Sequence, residues 1–376
     1  MLMALGGTVG VGNIAGVALA LATGGAGAIF WMWVCALFAM ILKYAEITLA
    51  MDSRTPDGRG GYTGGTAYAM HAVGWRRAGG IFAFLCLIYT LTVGGAVQAN
   101  AVADCLGDAF SLPPWVSGAL LLALTLPAVW GGGRKIAAVA AFLVPFMCLG
   151  YLLATAAVIL THAEALPRAF SLIFEGAFSP AAGAGGVFGF LFSRATRIGA
   201  SRGLMSNEGG CGTAPMAHVT SAETVAARQG LFGILEVFAD TVVICTLTAL
   251  AILCVFPDLP DGLSGMAVVR AALATVFGQA AGGMLSLFLF LFAYATVLCE
   301  AYYGEVSAAY LFPRRNTRVA FFALFGGSLL LGAVCSVDAV WQLCDLTLAA
   351  MTLLNLAFLC KKADRVVTLS AELKKR

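Results

Sequence analysis

Two stretches of the chain place glycines and hydrogen-bonding side chains inside apolar sequence. The first, residues 6–16, reads Gly-Gly-Thr-Val-Gly-Val-Gly-Asn-Ile-Ala-Gly. Each glycine inside a helix costs about 1 kcal/mol relative to alanine, and glycine lets the backbone leave helical angles. Backbone freed at bilayer depth is tolerated only where it is buried in protein or lines a cavity. This stretch therefore predicts a broken helix and a binding site.

The second stretch, residues 206–215, reads Ser-Asn-Glu-Gly-Gly-Cys-Gly-Thr-Ala-Pro and is also flanked by apolar sequence. A broken helix presents free amides at one new end, which can hold a carboxylate. It presents free carbonyls at the other end, which can hold an ammonium group or a sodium ion. An amino-acid zwitterion carries both charges close together. Two facing breaks therefore predict a site for an amino acid.

Candidate substrate-binding residues follow from the two stretches. In the first break, Thr8 and Asn13 can add hydrogen bonds, while Gly10 and Gly12 give access to the backbone. In the second, the polar side chains and the glycines form one cluster: Ser206, Asn207, Glu208, Gly210, Gly212 and Thr213. Two alternatives stay open, namely glycines that serve close helix packing in the first stretch and a surface loop in the second.

Charged residues inside the apolar segments also need partners, because an unpaired acid at membrane depth is costly. Arg202 is the predicted partner of Glu208, brought near it by the break. Lys43 and Glu46 are three residues apart on one helix face and can pair. Asp240 and Asp345 are further buried acids without an assigned role.

Two more pairs of polar residues lie in other spans. Thr296 and Glu300 are four apart and share a helix face, and the Thr296 hydroxyl with backbone carbonyls makes an oxygen set typical of sodium sites. Gln98 and Asn100 cannot lie on one face, so at most one of them points at the site; a lone amide bridging two helices is the alternative.

The composition indicates a polytopic membrane protein that is all helical. Of its 376 residues, 61% are apolar and 11% are charged, against about 25% charged in soluble domains, and the mean hydropathy is +0.93. Nothing favours nucleic-acid binding. The eleven cysteines and three histidines are dispersed, which argues against a disulfide framework or a metal site. No Ser/His pair stands at catalytic spacing, so an intramembrane enzyme is disfavoured.

Ten spans can be drawn, and the first and sixth are the broken ones. Lys and Arg concentrate in the loops after even-numbered spans, which places those loops and the C-terminus in the cytoplasm. Paired breaks five spans apart predict a 5+5 inverted repeat with its site at the midplane. The single domain, residues 1–376, then divides into repeat one (about 1–161), repeat two (about 186–360) and a cytoplasmic tail (361–376).

Several motifs resemble the sodium:alanine symporters of the alanine or glycine:cation symporter family. They lie at residues 7–18, 28–34, 43–46 (Lys-Tyr-Ala-Glu), 97–100 (Val-Gln-Ala-Asn), 202–215 and 240–250. The resemblance implies the leucine-transporter type of fold, cotransport of sodium with alanine or glycine by alternating access, and a bacterial or archaeal inner membrane. No organic cofactor is implied, and membrane lipid surrounds the protein. Substrate contacts are implied at Gly12, Asn13, Gln98 and residues 207–212, and sodium contacts at Val9, Gly10 and Thr296.

The chain also departs from the family pattern. An additional N-terminal helix is usual in the family, whereas only residues 1–5 precede the glycines here. At residues 294–300 one of two adjacent family hydroxyls is replaced by alanine, and Glu300 stands where a tryptophan is expected. Alternatives are therefore a truncated or degenerate paralogue that binds without transporting, and a transporter with altered substrate or proton coupling through Glu300.

Overall fold

The computed structural model describes residues 1–58, 60–178, 193–259, 265–314, 316–336 and 338–373. The chain starts with a broken helix. Helix α1 (Leu2–Thr8) ends before a single 3₁₀ turn (Val11–Asn13), which leads into α2 (Ala15–Gly24). The two halves are bent by 58°. The bend falls on the glycines of the first stretch, where the sequence predicts the break.

A long helix and a small hairpin follow. Helix α3 (Gly27–Asp52) leads into an antiparallel pair of short strands, β1 (Thr55–Pro56) and β2 (Tyr62–Thr63), with Thr55 opposite Thr63. Helix α4 (Thr66–Ala72) comes next. The region that reads as a glycine-rich loop in the sequence therefore contains a hairpin and a helix.

The next span contains a π-helical segment at its centre. Helix α5 (Arg76–Tyr89) continues through the π segment Thr90–Val97 into α6 (Gln98–Phe110). Two helices and an amphipathic connection complete the first half: α7 (Pro114–Trp130), α8 (Gly132–Thr161), a 3₁₀ turn (Ala163–Ala165) and α9 (Leu166–Ala177).

The second half of the chain also contains a π-helical segment. It contains α10 (Arg194–Asn207), the one-turn helix α11 (Pro215–His218), α12 (Ala226–Val237), a π segment (Phe238–Cys245), α13 (Thr246–Val255) and α14 (Met266–Phe277). The remaining helices are α15 (Ala280–Leu311), α16 (Thr317–Val334), α17 (Asp338–Lys361) and α18 (Ala363–Glu372). π segments inside helices frequently mark functional sites.

Fewer helices in the described part of the chain have the length and hydropathy of a membrane span than the ten spans drawn from the sequence. In the described ranges, seven helices are long and apolar enough to cross a membrane, or eight if the bent pair is one span. Helix α7 is apolar but only 17 residues long, and α10 has 14 residues. The predicted start of span six near Gly186 lies outside the described residues. The 5+5 repeat stays a prediction.

Helix α3 packs against both α10 and α12. A methyl group at Gly199 of α10 would lie 2.3 Å from the carbonyl oxygen of Ala28, and one at Gly233 of α12 would lie 2.4 Å from Ile47. Glycine is therefore needed at both positions for the close approach. Helix α18 lies within the predicted tail and contacts α3, with Arg365 paired to Asp52 at 2.7 Å.

Candidate functional site at the two broken helices

The side chain of Asn13 joins the two breaks. Its Oδ1 accepts a hydrogen bond from the Gly10 amide at 2.9 Å, which closes the turn of the first break. Its Nδ2 donates to Ser206 Oγ at 3.1 Å and to Asp240 Oδ1 at 2.6 Å. Asn13 is fully buried. The structure therefore brings together Gly10, Asn13 and Ser206, which come from two stretches far apart in sequence.

Asp240 has a position that the sequence did not reveal. It lies in the second π segment, is fully buried, and accepts hydrogen bonds from Asn13, Ser206 and Thr241 at 2.6, 2.7 and 2.8 Å. Thr241 Oγ1 in turn accepts from Asn207 Nδ2 at 3.2 Å. The rule that acids inside spans are functional candidates identified Asp240, but only the packing shows that it supports both breaks.

The end of α1 meets α15 at Thr296. The Thr296 hydroxyl donates to the Gly6 carbonyl at 3.3 Å, and a methyl group on Gly10 would lie 2.6 Å from the same hydroxyl oxygen. The last carbonyls of a helix have no partner within the helix, and Val9, which follows α1, is extended (φ −75°, ψ 91°). Thr296 and the backbone near Val9 and Gly10 thus lie together. The Thr8 hydroxyl, by contrast, donates to the carbonyls of Ala4 and Leu5 in its own helix.

The second break adopts left-handed backbone angles. Glu208, Gly210 and Gly212 have φ values of +51°, +84° and +82°. A side chain at Gly212 would also meet Phe82 and Thr66 at 2.8 Å. Glycine is therefore required there both by the positive φ and by the lack of space. Glu208 is a non-glycine residue in this region, a conformation that costs energy and is often found at functional sites.

Side chains from neighbouring helices hold the backbone of the second break. Lys43 Nζ donates to the carbonyl of Asn207 at 2.6 Å, and Asn355 Nδ2 donates to that of Gly210 at 2.9 Å. The Gly212 amide donates to Glu46 Oε2 at 3.1 Å, and the Gly212 carbonyl accepts from the Thr66 hydroxyl at 2.8 Å. Gly210 and Gly212 are therefore positioned by α3, α4 and α17.

The predicted pairing of Lys43 with Glu46 is wrong. Lys43 Nζ instead forms a fully buried ion pair with Glu236 of α12 at 2.6 Å, and His218 Nε2 lies 2.9 Å from the same carboxyl group. Helical spacing permits the local pair, but α12 packs against the face of α3 that carries Lys43. Glu46 accepts from Gly212 and Asn355 instead.

The predicted pairing of Arg202 with Glu208 is also wrong. Glu208 accepts hydrogen bonds from Tyr89 Oη at 3.0 Å and from Thr213 Oγ1 at 2.6 Å. Arg202 pairs with Asp345 of α17 at 3.4 Å. The left-handed turn at Glu208 directs its side chain toward α5, whereas Arg202 lies on a part-exposed face of α10.

The remaining candidates lie around this centre. Gln98 is buried and Asn100 half-buried, and Asn100 donates to the carbonyl of Cys335 at 3.4 Å. Within the described ranges no hydrogen bond joins Gln98 to either break. Glu300 is fully buried against Gly94 of the first π segment, where a methyl group would lie 2.2 Å from Glu300 Cβ.

A cavity of about 450 Å³ lies between the hairpin, α8 and α15. Its lining includes Tyr62 of the hairpin, Arg134 at the start of α8, and Tyr302 and Val306 of α15. Val306 is six residues beyond Glu300, or about 9 Å along the helix axis at 1.5 Å per residue. The loops around the cavity are those that the charge distribution assigns to the cytoplasmic side.

Comparisons with known proteins give one family. Residues 1–375 match the model of the sodium:alanine symporter family. The sodium/alanine symporter AgcS of Methanococcus maripaludis is 37% identical over 379 residues, which cover 98% of this chain and 82% of that protein. The probable sodium/glutamine symporter GlnT of Bacillus subtilis is 35% identical over 353 residues, covering 93% and 72%.

A solved structure shows the same fold at low identity. A manganese transporter of Eremococcus coleocola superposes with a TM-score of 0.57 at 14% identity, covering 94% of this chain and 74% of that one. The likeness concerns the arrangement of the helices alone.

Proposed function

Because this chain belongs to the sodium:alanine symporter family, a family of multi-pass membrane transporters rather than enzymes, we propose that it carries alanine, glycine or a similar small neutral amino acid together with sodium. The observation that carries the proposal is the bridge from Asn13 to Ser206 and Asp240, which brings the two breaks face to face. The substrate site lies between them. The carbonyl end of α1 would favour the ammonium group, and amides of the first break would favour the carboxylate.

The size of the substrate follows from the distance between the breaks. A methyl group at Gly12 would lie 3.9 Å from Ser206 Cα, which is ordinary contact distance, so the two backbones approach closely. Ser206, Asn207 and Thr213 are buried beside them. A ligand bound at this close approach would have to be small, as glycine and alanine are. Gln98, which is buried in α6, is the residue proposed to contact the substrate from that helix.

The sodium site is proposed at the end of α1. Backbone carbonyls at the end of α1, near Val9 and Gly10, together with the Thr296 hydroxyl, would supply neutral oxygens of the kind that coordinate Na⁺ where transporter helices are broken. The same ion would attract the substrate carboxylate, which couples the two bindings. Alternating access of the two repeats, with the C-terminus and the 450 Å³ cavity on the cytoplasmic side, completes the proposed mechanism.

Uptake of radiolabelled alanine into proteoliposomes tests this proposal. We expect uptake to require an inward sodium gradient and to be lost when choline replaces sodium. Thr296→Ala should raise the sodium concentration for half-maximal uptake by about tenfold, equivalent to about 1.4 kcal/mol. Thr347→Ala is the matched control, because this buried hydroxyl bonds only to carbonyls of its own helix.

Equal uptake with and without the gradient would overturn sodium coupling. Alanine binding without uptake would instead indicate a chain that binds but does not transport.

A further inference from the structure

Glu300 is a buried acid whose carboxyl group lacks hydrogen-bond donors. Neither of its side-chain oxygens has a hydrogen-bond partner in the described part of the chain, and the residue is 0% exposed. The other fully buried acids at the centre each accept at least two hydrogen bonds, as Glu208 does from Tyr89 and Thr213. A buried carboxylate without donors is strongly unfavourable unless a cation compensates it.

The carboxyl group of Glu300 faces that of Glu208. The two side chains interact directly, although they come from α15 and from the second break. Gly94 leaves room for Glu300 on one side, and the left-handed backbone of Glu208 turns its side chain toward α5 and α15. Two carboxylates buried together repel each other and cannot both remain charged without a counter-charge.

The surrounding titratable groups do not provide that counter-charge. Besides Lys43, the groups that interact with the pair are the Glu236 carboxyl group and thiols and phenols from α5, from the second break and from α15 itself: Cys86, Tyr89, Cys211, Cys299 and Tyr303. Lys43 is the cation that interacts with Glu208, but it is already paired with Glu236 and bonded to the Asn207 carbonyl. The carboxyl pair therefore has an excess of negative charge.

We propose that Glu208 and Glu300 together hold one small monovalent cation, either a proton shared by the two carboxyl groups or a sodium ion bound by both. Both residues are almost completely buried, and Glu300 packs closely on Gly94. The bound cation must therefore be small, which excludes the ammonium group of a lysine-like substrate. The site is separate from the neutral oxygens around Thr296 and adds a second cation to the proposed transport cycle.

Cation binding is measured on the purified full chain, in which Glu300→Gln removes the charge at nearly constant volume. The matched control is Glu305→Gln on the same helix, whose carboxyl group pairs with Arg318 at 2.8 Å. Infrared spectra in choline chloride report a protonated carboxyl group. The sodium concentration for half-maximal rise in melting temperature reports sodium binding.

A proton occupant predicts a protonated carboxyl band in the unmodified chain that disappears in Glu300→Gln and persists in Glu305→Gln. A sodium occupant predicts that Glu300→Gln raises the half-maximal sodium concentration by about tenfold or more, or about 1.4 kcal/mol, with little change in the control. Either result supports the proposal and identifies the cation. If Glu300→Gln retains the band pattern and the sodium response of the unmodified chain, the proposal is wrong.

If Glu300→Gln does not fold, the infrared and melting-temperature measurements are made on Glu208→Gln instead. The same results are expected, because cation binding needs both carboxyl groups. Cation binding by Glu208 and Glu300 does not depend on the proposed transport function. Only the role of this cation in the transport cycle does. Alanine-dependent stabilisation of the unmodified chain, measured in the same samples, reports substrate binding separately. Loss of the alanine response with a retained carboxyl effect would count against the proposed function and leave the cation site supported.

Discussion

The two breaks differ in how their backbones are held. The first has no charged side chain of its own, and its principal contacts are Asn13 and the Thr296 hydroxyl. The second is surrounded by Lys43, Glu46 and Glu236, and neighbouring helices supply a partner for much of its backbone. Both interrupt a helix with glycines, but only the second is connected on several sides to the helices around it.

This difference suggests separate roles. Backbone groups that are already bonded to protein side chains are less available to a ligand, and the last carbonyls of a helix such as α1 have no partner within the helix. We propose that the second break forms the rigid wall of the site, supported by α3, and that the first is the half that exchanges ligands. Asn13 and Asp240 keep the two in register.

The largest effect is expected from removing the charge that holds the second break. Lys43→Met leaves Glu236 buried without its cation and the Asn207 carbonyl without its donor, which should lower the free energy of unfolding by about 3–5 kcal/mol. Denaturant titration in detergent measures this. Lys135→Met, at an exposed lysine bonded to the Pro127 carbonyl, should cost less than about 1 kcal/mol. If Lys43→Met and Lys135→Met lower the free energy of unfolding equally, Lys43 does not hold the second break in the way described.

A smaller effect is expected at the first break, where the restriction is steric. Gly10→Ala places a methyl group 2.6 Å from Thr296 Oγ1 and should cost about 1–3 kcal/mol. Adding Thr296→Ala removes that hydroxyl and leaves Cβ 3.6 Å away, so the double variant should recover part of the stability while sodium affinity stays low. Strictly additive losses in thermal unfolding would show that Thr296 does not limit this position.

The smallest effect is expected at Arg202. Its pair with Asp345 is partly exposed, at 14% and 44% for the two side chains, so Arg202→Gln should change the free energy of unfolding by less than about 1 kcal/mol. If Arg202 were instead the partner of Glu208, its loss would leave a buried acid unpaired and cost several times more. Asp345→Asn should have a similarly small effect, and its effect should not add to that of Arg202→Gln. This comparison decides whether Arg202 pairs with Asp345 or with Glu208.

Many of the candidate site residues could be predicted from local sequence, but the partners of their side chains could not. Glycines and polar residues inside apolar runs marked both breaks, and Asn13, Ser206 and Thr296 were found this way. The partners of Lys43 and Arg202 were predicted wrongly because the argument used only neighbours on the same helix or across the break. Asp240 stayed without a role, and the two π segments that place Asp240 and Gly94 have no signal in the helical periodicity.

The sequence by itself determined the class of protein, the first break and the polar residues available at both interruptions. These properties depend on composition and on backbone preferences within a few residues, which are local. The tertiary structure alone decided which groups meet, since Asn13 bonds to residues 193 and 227 positions away and Lys43 to one 193 positions away. A buried charge or amide is stabilised by whichever partner the helix packing brings within about 3 Å, and that packing is set by the whole chain.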